Sequence, residues 1–439
     1  MFFTKNTLLI LSQRAWQSFA GLATLVAVTF FLNVEQQGWY YTFVSVAALY
    51  SVFEMGLASA VLQVSAHMFT QLSWGGNGAV AGKDQSEFNA LVSKSFQIYL
   101  RLAIVFTLLA VPIGLFIFNA RDGGLDIGSW RLAWMLVIFA TAANMIFLPF
   151  LAIVEGSGQI QEVYFVRLLQ GIFGAVGCWV ALMMGGFLWA VAIVPLMGIF
   201  IGILWLYRCR PLLFVQALSK NISNQFNWKQ QIWSMQWRVG ISWISIYFMS
   251  QLATPILFFY QDAIVAGQMG LTLSIAHMIG IFSQSWMARH IPEMGMSVAR
   301  KDLAALDRLF YADLKHVVFI YFLGALIVLS FYKIASNTLY IDRLLPFWQF
   351  LGLLIFVFIF QMNAALSAYL RAFKAEPLML LNALGAVLIV GGSIFGAIQY
   401  SSTGVVCAMV LIESLLIFPF AILIWNNCRK KWRSTGHYS

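Results

Sequence analysis

Ionisable side chains set inside long apolar runs are the groups in this sequence that could do chemistry. Glu54 stands in "YSVFEMGLASAV" and His277 in "LTLSIAHMIGIF". Burying an ionised acid in hydrocarbon costs on the order of several kcal/mol unless it is paired, wetted or protonated. A carboxylate and an imidazole so placed are candidates for taking up a proton or a cation as coupling or gate residues. The competing reading of Glu54 is a carboxylate near enough to the inner face to be wetted or to pair with a basic side chain. Arg14, Arg101, Arg167, Arg238 and Arg289 lie near the cytoplasmic ends of apolar runs. A guanidinium grips phosphate oxygens in a bidentate fork, so these five are candidates for holding an anionic headgroup, with simple snorkelling to the interface as the alternative. Asn144 and Asn363 are amides inside spans, suited to interhelical hydrogen bonds or to contact with a polar solute in a cavity.

Other chemistry is excluded. "GGNGAVAGKD", Gly75 to Asp84, fails as a phosphate loop, because Asn77 replaces the first required glycine and Asp84 the magnesium-holding hydroxyl. A flexible cytoplasmic loop is expected there. "GIFGAVG" at 171–177 lies within a span rather than between strand and helix, so it is no dinucleotide fingerprint. Cys178, Cys209, Cys407 and Cys428 show neither CxxC spacing nor a histidine cluster, and are expected to be packing residues rather than metal ligands or a disulfide framework. With no nucleotide motif, work across a membrane would run on an ion gradient, H+ or Na+, or on the solute's own gradient.

The elements that position these residues follow from composition. Of 439 residues, 61% are hydrophobic and 10% charged, against about a quarter charged in soluble chains. Apolar windows of about twenty residues recur throughout, which makes this an all-α polytopic membrane protein. Turn signals divide them into about twelve spans: 8–32, 39–63, 96–119, 130–155, 163–184, 187–207, 239–260, 263–287, 314–335, 345–370, 378–399 and 404–426. Of the 26 Lys and Arg, 22 fall on the side of the N-terminus, and only Arg121, Arg131, Lys333 and Arg343 on the other. That asymmetry places both termini in the cytoplasm. The basic residues sit in short loops rather than in one block, so nucleic acid is not expected as a partner. Trp39, Tyr40, Tyr41, Trp130, Trp348 and Tyr400 are expected at the outer interface. The closing "RKKWR" reads as a tail near anionic lipid or as a simple stop signal.

Adding 219 to Asn144 gives Asn363, and the same step carries "ILWLYRCR" at 203–210 onto "ILIWNNCR" at 422–429. Two pseudo-equivalent six-helix bundles follow, 1–215 and 237–439, joined by a cytoplasmic linker at 216–236. Glu54 and His277 then lie at matched depth, roughly 21 to 23 Å below the outer surface.

"QRAWQSFAGLATLVAVTFFLNVEQQGWYYTF" from Gln13, "FEMGL" around Glu54 and "YQDAIVAGQMG" from Tyr260 resemble the Wzx-type O-antigen and capsule repeat-unit flippases of the multidrug/oligosaccharidyl-lipid/polysaccharide exporter superfamily. The resemblance implies a V-shaped central cavity opening alternately to either side of a bacterial inner membrane. It implies outward flipping of undecaprenyl-pyrophosphate-linked oligosaccharide, no cofactor, and contact with membrane lipid, a polysaccharide polymerase and chain-length proteins. By the same resemblance Glu54 belongs to an acidic-Gly-Leu signature, and Asp262 matches the acidic residue at the turn between spans seven and eight, a further gate candidate. A drug or cation antiporter of the same architecture is the alternative. A membrane-embedded polymerase is a third reading, disfavoured by short outer loops; all three stay open on sequence.

Overall fold

The computed structural model describes residues 5–75, 78–83, 85–121, 127–219, 226–335 and 341–435. Gly76, Asn77 and Asp84 of the glycine-rich stretch, and 220–225 of the expected linker, lie outside them. The chain is nearly all helix. In order come α1 (Lys5–Phe31), α2 (Val34–Ala47), α3 (Tyr50–Glu54), α4 (Leu57–Met68), α5 (Gln85–Asn119), α6 (Ile127–Gly156), α7 (Ile160–Met183), α8 (Trp189–Cys209) and α9 (Pro211–Leu218). The second half holds α10 (Ser234–Gln251), α11 (Ala253–Tyr260), α12 (Ala263–Ala299), α13 (Leu303–Ala335), α14 (Phe347–Arg371), α15 (Met379–Leu411) and α16 (Phe418–Thr435).

Eight of these segments are long and apolar enough to cross a bilayer alone, and two bent pairs, Val34–Glu54 with Leu57–Met68 and Gln236–Gln251 with Ala253–Tyr260, raise the number to ten. The 55-residue run Met379–Arg433 is itself two passes, since Ser401 breaks it at φ 54° and ψ −141°. With α1, long enough at 27 residues to span the hydrocarbon, about twelve passes result, as the apolar windows predict. Large apolar side chains cover the outside, among them Leu108, Phe116, Phe331 and Val387. Such a surface is stable only against lipid.

Two compact units emerge, one of the residues up to Asn33 with Phe43–Ile244, the other of Val34–Thr42 with Ser245 onward. Stepping back 219 residues carries α14 onto 128–152, inside α6, and the first part of α15 onto α7. The first unit packs around Phe88, Tyr99, Phe150 and Trp205, the second around Phe310, Tyr369 and Trp425.

Several expectations are corrected. The stretch expected as a loose loop contains a hairpin strand: Val80–Gly82 pairs antiparallel with Leu72–Trp74. Residues 288–313 are not a loop but the ends of α12 and α13, which meet at a tight turn with Lys301 at φ 59° and Asp302 capping the Ala305 amide at 2.9 Å. Four of the six aromatics expected at the interface are buried instead. Trp39 packs edge-on against Phe258, and Trp130 against Phe118, because a ring in a helix crossing gains more contact than one at a headgroup. Trp348 and Tyr400 are exposed. The basic tail is folded in: Arg429 and Arg433 both pair with Asp307, and Trp432 stacks on Phe373. Of the cysteines only Cys178 is fully buried; Cys209 and Cys407 are exposed.

Where Ser401 reverses the chain, Gly396 and Gly404 touch backbone to backbone. A Cβ on Gly404 would lie 2.3 Å from the Gly396 carbonyl oxygen. Gly404→Val is therefore expected to lower stability by about 1–3 kcal/mol, read as an earlier loss of the monodisperse peak on heating in detergent. A melting point equal to the parent's would show that the two passes cross more loosely.

Candidate functional site

Glu54 sits at a break rather than in a continuous span. Met55 and Gly56 adopt φ of 50° and 71°, ending α3 and restarting the chain as α4. That break frees backbone amides, and the Glu54 carboxylate takes them: Oε2 accepts from the Gly56 amide and Oε1 from the Ala58 amide, both at 2.7 Å. The Tyr99 hydroxyl donates to Oε1 at 2.9 Å. Three donors satisfy the carboxylate where it stands, which answers why an acid occupies an apolar run. Glu54→Gln leaves one acceptor oxygen for these donors and should cost about 1–2 kcal/mol. Thermal unfolding with Tyr99→Phe as the milder comparison checks this; equal melting of all three proteins would contradict the capping role.

Asp262 plays a similar part. Its side chain accepts from the Val265 amide at 2.7 Å, as the N-cap of α12. His277, midway along α12, is half-buried, and its buried Nε2 has no hydrogen-bond partner among the described residues.

The five arginines do not converge on one another within either unit. Arg167 pairs with Glu155 at 2.8 Å and lies over the Tyr164 ring. Arg14 and Arg101 are exposed, the latter on a stripe with Ile104, Val105 and Leu108, as a snorkelling side chain would be. Arg238 and Arg289 are exposed and lie over Trp237 and Trp286. Arg289 also lines a cleft of about 710 Å³ where α12 runs into α13, together with Arg300, Arg308, Glu293 and Asp302. Asn144 packs against Gly198 in α8, beside the bond from Gln170 Nε2 to the Gly198 carbonyl.

Two polar groups escape the sequence reading. Arg210, buried at the α8–α9 junction, holds Glu162 through two nitrogens and lies over Trp74. Glu413, fully buried, lies in a π-helical turn, Ile412–Ile417, between α15 and α16. Asn363 Nδ2 donates to Glu413 Oε1 at 3.4 Å and to Asn382 Oδ1 at 3.3 Å. The signal for Glu413 was present, an acid inside "VLIESLLIF" by the same criterion that singled out Glu54.

No family model and no curated protein matches the sequence. Solved structures do. An inward-facing multidrug resistance MATE family transporter of the MOP superfamily shares 13% identity at a TM-score of 0.64, covering 96% of this chain and 99% of the other. A Vibrio cholerae MATE transporter shares 13% at 0.55, covering 99% and 100%. A MOP superfamily transporter from Pyrococcus furiosus, described as having a binding pocket of reverse polarity suggesting a different function, shares 12% at 0.53, covering 96% and 95%. At these identities the likeness shows the fold: a multi-pass membrane architecture of about twelve helices that those transporters share end to end.

Proposed function

We propose that the chain is an ion-coupled exporter that moves an amphiphilic solute outward across a bacterial inner membrane, driven by H+ or Na+, with both termini in the cytoplasm. The carrying observation is fold likeness to an inward-facing MATE transporter over 96% of the chain. It favours a drug or organic-cation antiporter over the lipid-linked oligosaccharide flippase to which the sequence motifs point first. A buried carboxylate in the second unit, Glu413, suits ion-coupled exchange.

One observation keeps the flippase as the second reading. Arg14, Arg101 and Arg238 of the first unit and Arg289 of the second are exposed and form no ion pair with the described residues, so each keeps a guanidinium that suits a phosphate oxygen. The reverse-polarity pocket ascribed to the Pyrococcus transporter supports the idea that one architecture serves solutes of either charge. For either solute the three bonds that occupy Glu54 support a structural role, so Glu54→Gln should transport with an undiminished response to the imposed gradient.

Deletion of the gene separates the readings. The antiporter reading expects sensitivity to cationic drugs to rise with surface polysaccharide intact. The flippase reading expects lipid-linked repeat units to accumulate on the inner leaflet with drug sensitivity unchanged. A deletion strain normal in both respects would overturn the proposal.

A further inference from the structure

Helices α12 and α13 are longer than a bilayer's hydrocarbon is thick. At 37 and 33 residues they reach about 55 and 50 Å, against about 30 Å of hydrocarbon. No Lys, Arg, Asp or Glu occurs in α12 before Arg289, nor in α13 between Lys315 and Lys333. The start of α12 and the end of α13 are therefore the portions that cross. Their other ends, joined by the turn at Lys301, stand at headgroup depth and beyond it.

That projecting hairpin carries a face with steps of three and four residues, one side of each helix. Phe282, Trp286, Arg289, Glu293, Met296 and Arg300 form the stripe on α12, and all are exposed. Phe319, His316, Ala312 and Arg308 form its counterpart on α13, exposed as well. The Trp286 and His316 rings stack with centroids 5.8 Å apart, so the two stripes run side by side. Each passes from large apolar rings to cations. The cleft of about 710 Å³ opens at the cationic end, within the roughly 300–1,000 Å³ of small-ligand sites, with Ala305 and Ala312 in its wall. Buried Asp313 meets His290 Nδ1 through both oxygens at 2.8 and 2.9 Å and ties one helix to the other.

Arg289, Arg300 and Arg308 line this cleft, and none forms an ion pair with a described residue, although Glu293 lines it too. Elsewhere in the second unit Arg371, Arg429 and Arg433 each hold a carboxylate. Asp302 is occupied as the cap of the Ala305 amide. The lining thus sets three guanidiniums against two carboxylates, an excess of one positive charge. A phosphodiester brings one negative charge, and guanidiniums suit its oxygens. The apolar end of the face, with Phe282 57% and Phe319 66% exposed, suits acyl chains.

We propose that the cleft holds the headgroup of a resident anionic phospholipid, with its phosphodiester on the arginines and its acyl chains along Phe282 and Phe319. Glu293 accepts from the hydroxyls of a glycerol head. The lipid belongs to the membrane around the protein and is not the solute moved, so the site goes beyond the exporter reading and stands whichever solute is carried.

The test uses purified full-length protein in detergent, stripped of lipid and titrated with dioleoyl phosphatidylglycerol or zwitterionic dioleoyl phosphatidylcholine under native mass spectrometry. The first phosphatidylglycerol is expected to bind about tenfold tighter than the first phosphatidylcholine. Arg300→Gln with Arg308→Gln should erase that preference. Ala312→Trp, which fills the cleft and keeps its charge, should erase it too. Lys374→Asn with Lys430→Gln removes equal charge from exposed positions outside the cleft and should leave the preference intact. Glycerol phosphate without acyl chains, at the lipid's concentration, should not displace the lipid. Equal affinity for the two lipids, a preference that survives either cleft variant or falls as far in the control, or displacement by glycerol phosphate would overturn the proposal.

Discussion

Replacing Arg210 by Met is expected to destabilise the protein by about 3–5 kcal/mol, the cost of stripping one partner from a buried ion pair. Arg210 is 8% exposed. Its Nε and Nη2 meet Glu162 Oε1 and Oε2 at 3.1 and 2.5 Å, and its guanidinium lies 4.1 Å from the centre of the Trp74 ring. Trp205 Nε1 donates to the same carboxylate at 2.7 Å. Without the arginine, Glu162 keeps one indole donor against a full charge. Arg210→Lys should recover little, because an ammonium supplies neither the fork nor the flat face that covers Trp74. The double variant Arg210→Met with Glu162→Leu should recover most of the loss, since it removes the stranded charge. Detergent melting curves of the three variants decide the matter. A single-variant loss below about 1 kcal/mol would mean that water reaches the pair and that it behaves as a surface ion pair.

Gly38→Leu should be comparably damaging. Residues Val34–Thr42 belong to the second unit, where α2 crosses α12. A Cβ on Gly38 would lie 1.8 Å from the Ala263 carbonyl oxygen, and one on Gly267 would lie 2.8 Å from the Gly38 amide nitrogen, so neither backbone can yield without parting the helices. Gln37, fully buried next door, donates from Nε2 to the Gly267 and Arg343 carbonyls at 2.9 and 3.1 Å. Separating the helices strands that amide as well. Overpacking alone costs about 1–3 kcal/mol, and an unsatisfied buried amide adds about 1–3 kcal/mol. The expected outcome is aggregated protein on expression at 37 °C, with Gly38→Ala a milder, measurable intermediate. A Gly38→Leu protein that purifies with the parent's melting point would show that the crossing is not close.

The span pattern was legible because a bilayer imposes length and apolarity on every pass. Helix ends were not, because the end of α12 and the start of α13 carry charges and read as loop. The break at Glu54 was hidden too: nothing in "YSVFEMGLASAV" announces that Met55 and Gly56 turn left-handed, and only that turn reveals the acid as a cap. The pairing of Arg210 with Glu162 links residues 48 apart and has no local signal. Glu413 was visible as an acid inside an apolar run, by the criterion that singles out Glu54.

The central claim is ion-coupled export, and flux through purified protein in sealed liposomes tests it most directly. A proton or sodium gradient would be imposed, and movement followed of a fluorescent lipophilic cation or, in parallel vesicles, of a labelled undecaprenyl-pyrophosphate-linked sugar. Gradient-dependent movement of one of the two, collapsing when the gradient is dissipated, is the predicted result. Equal rates with and without the gradient, or no movement of either solute above that in protein-free vesicles, would contradict it.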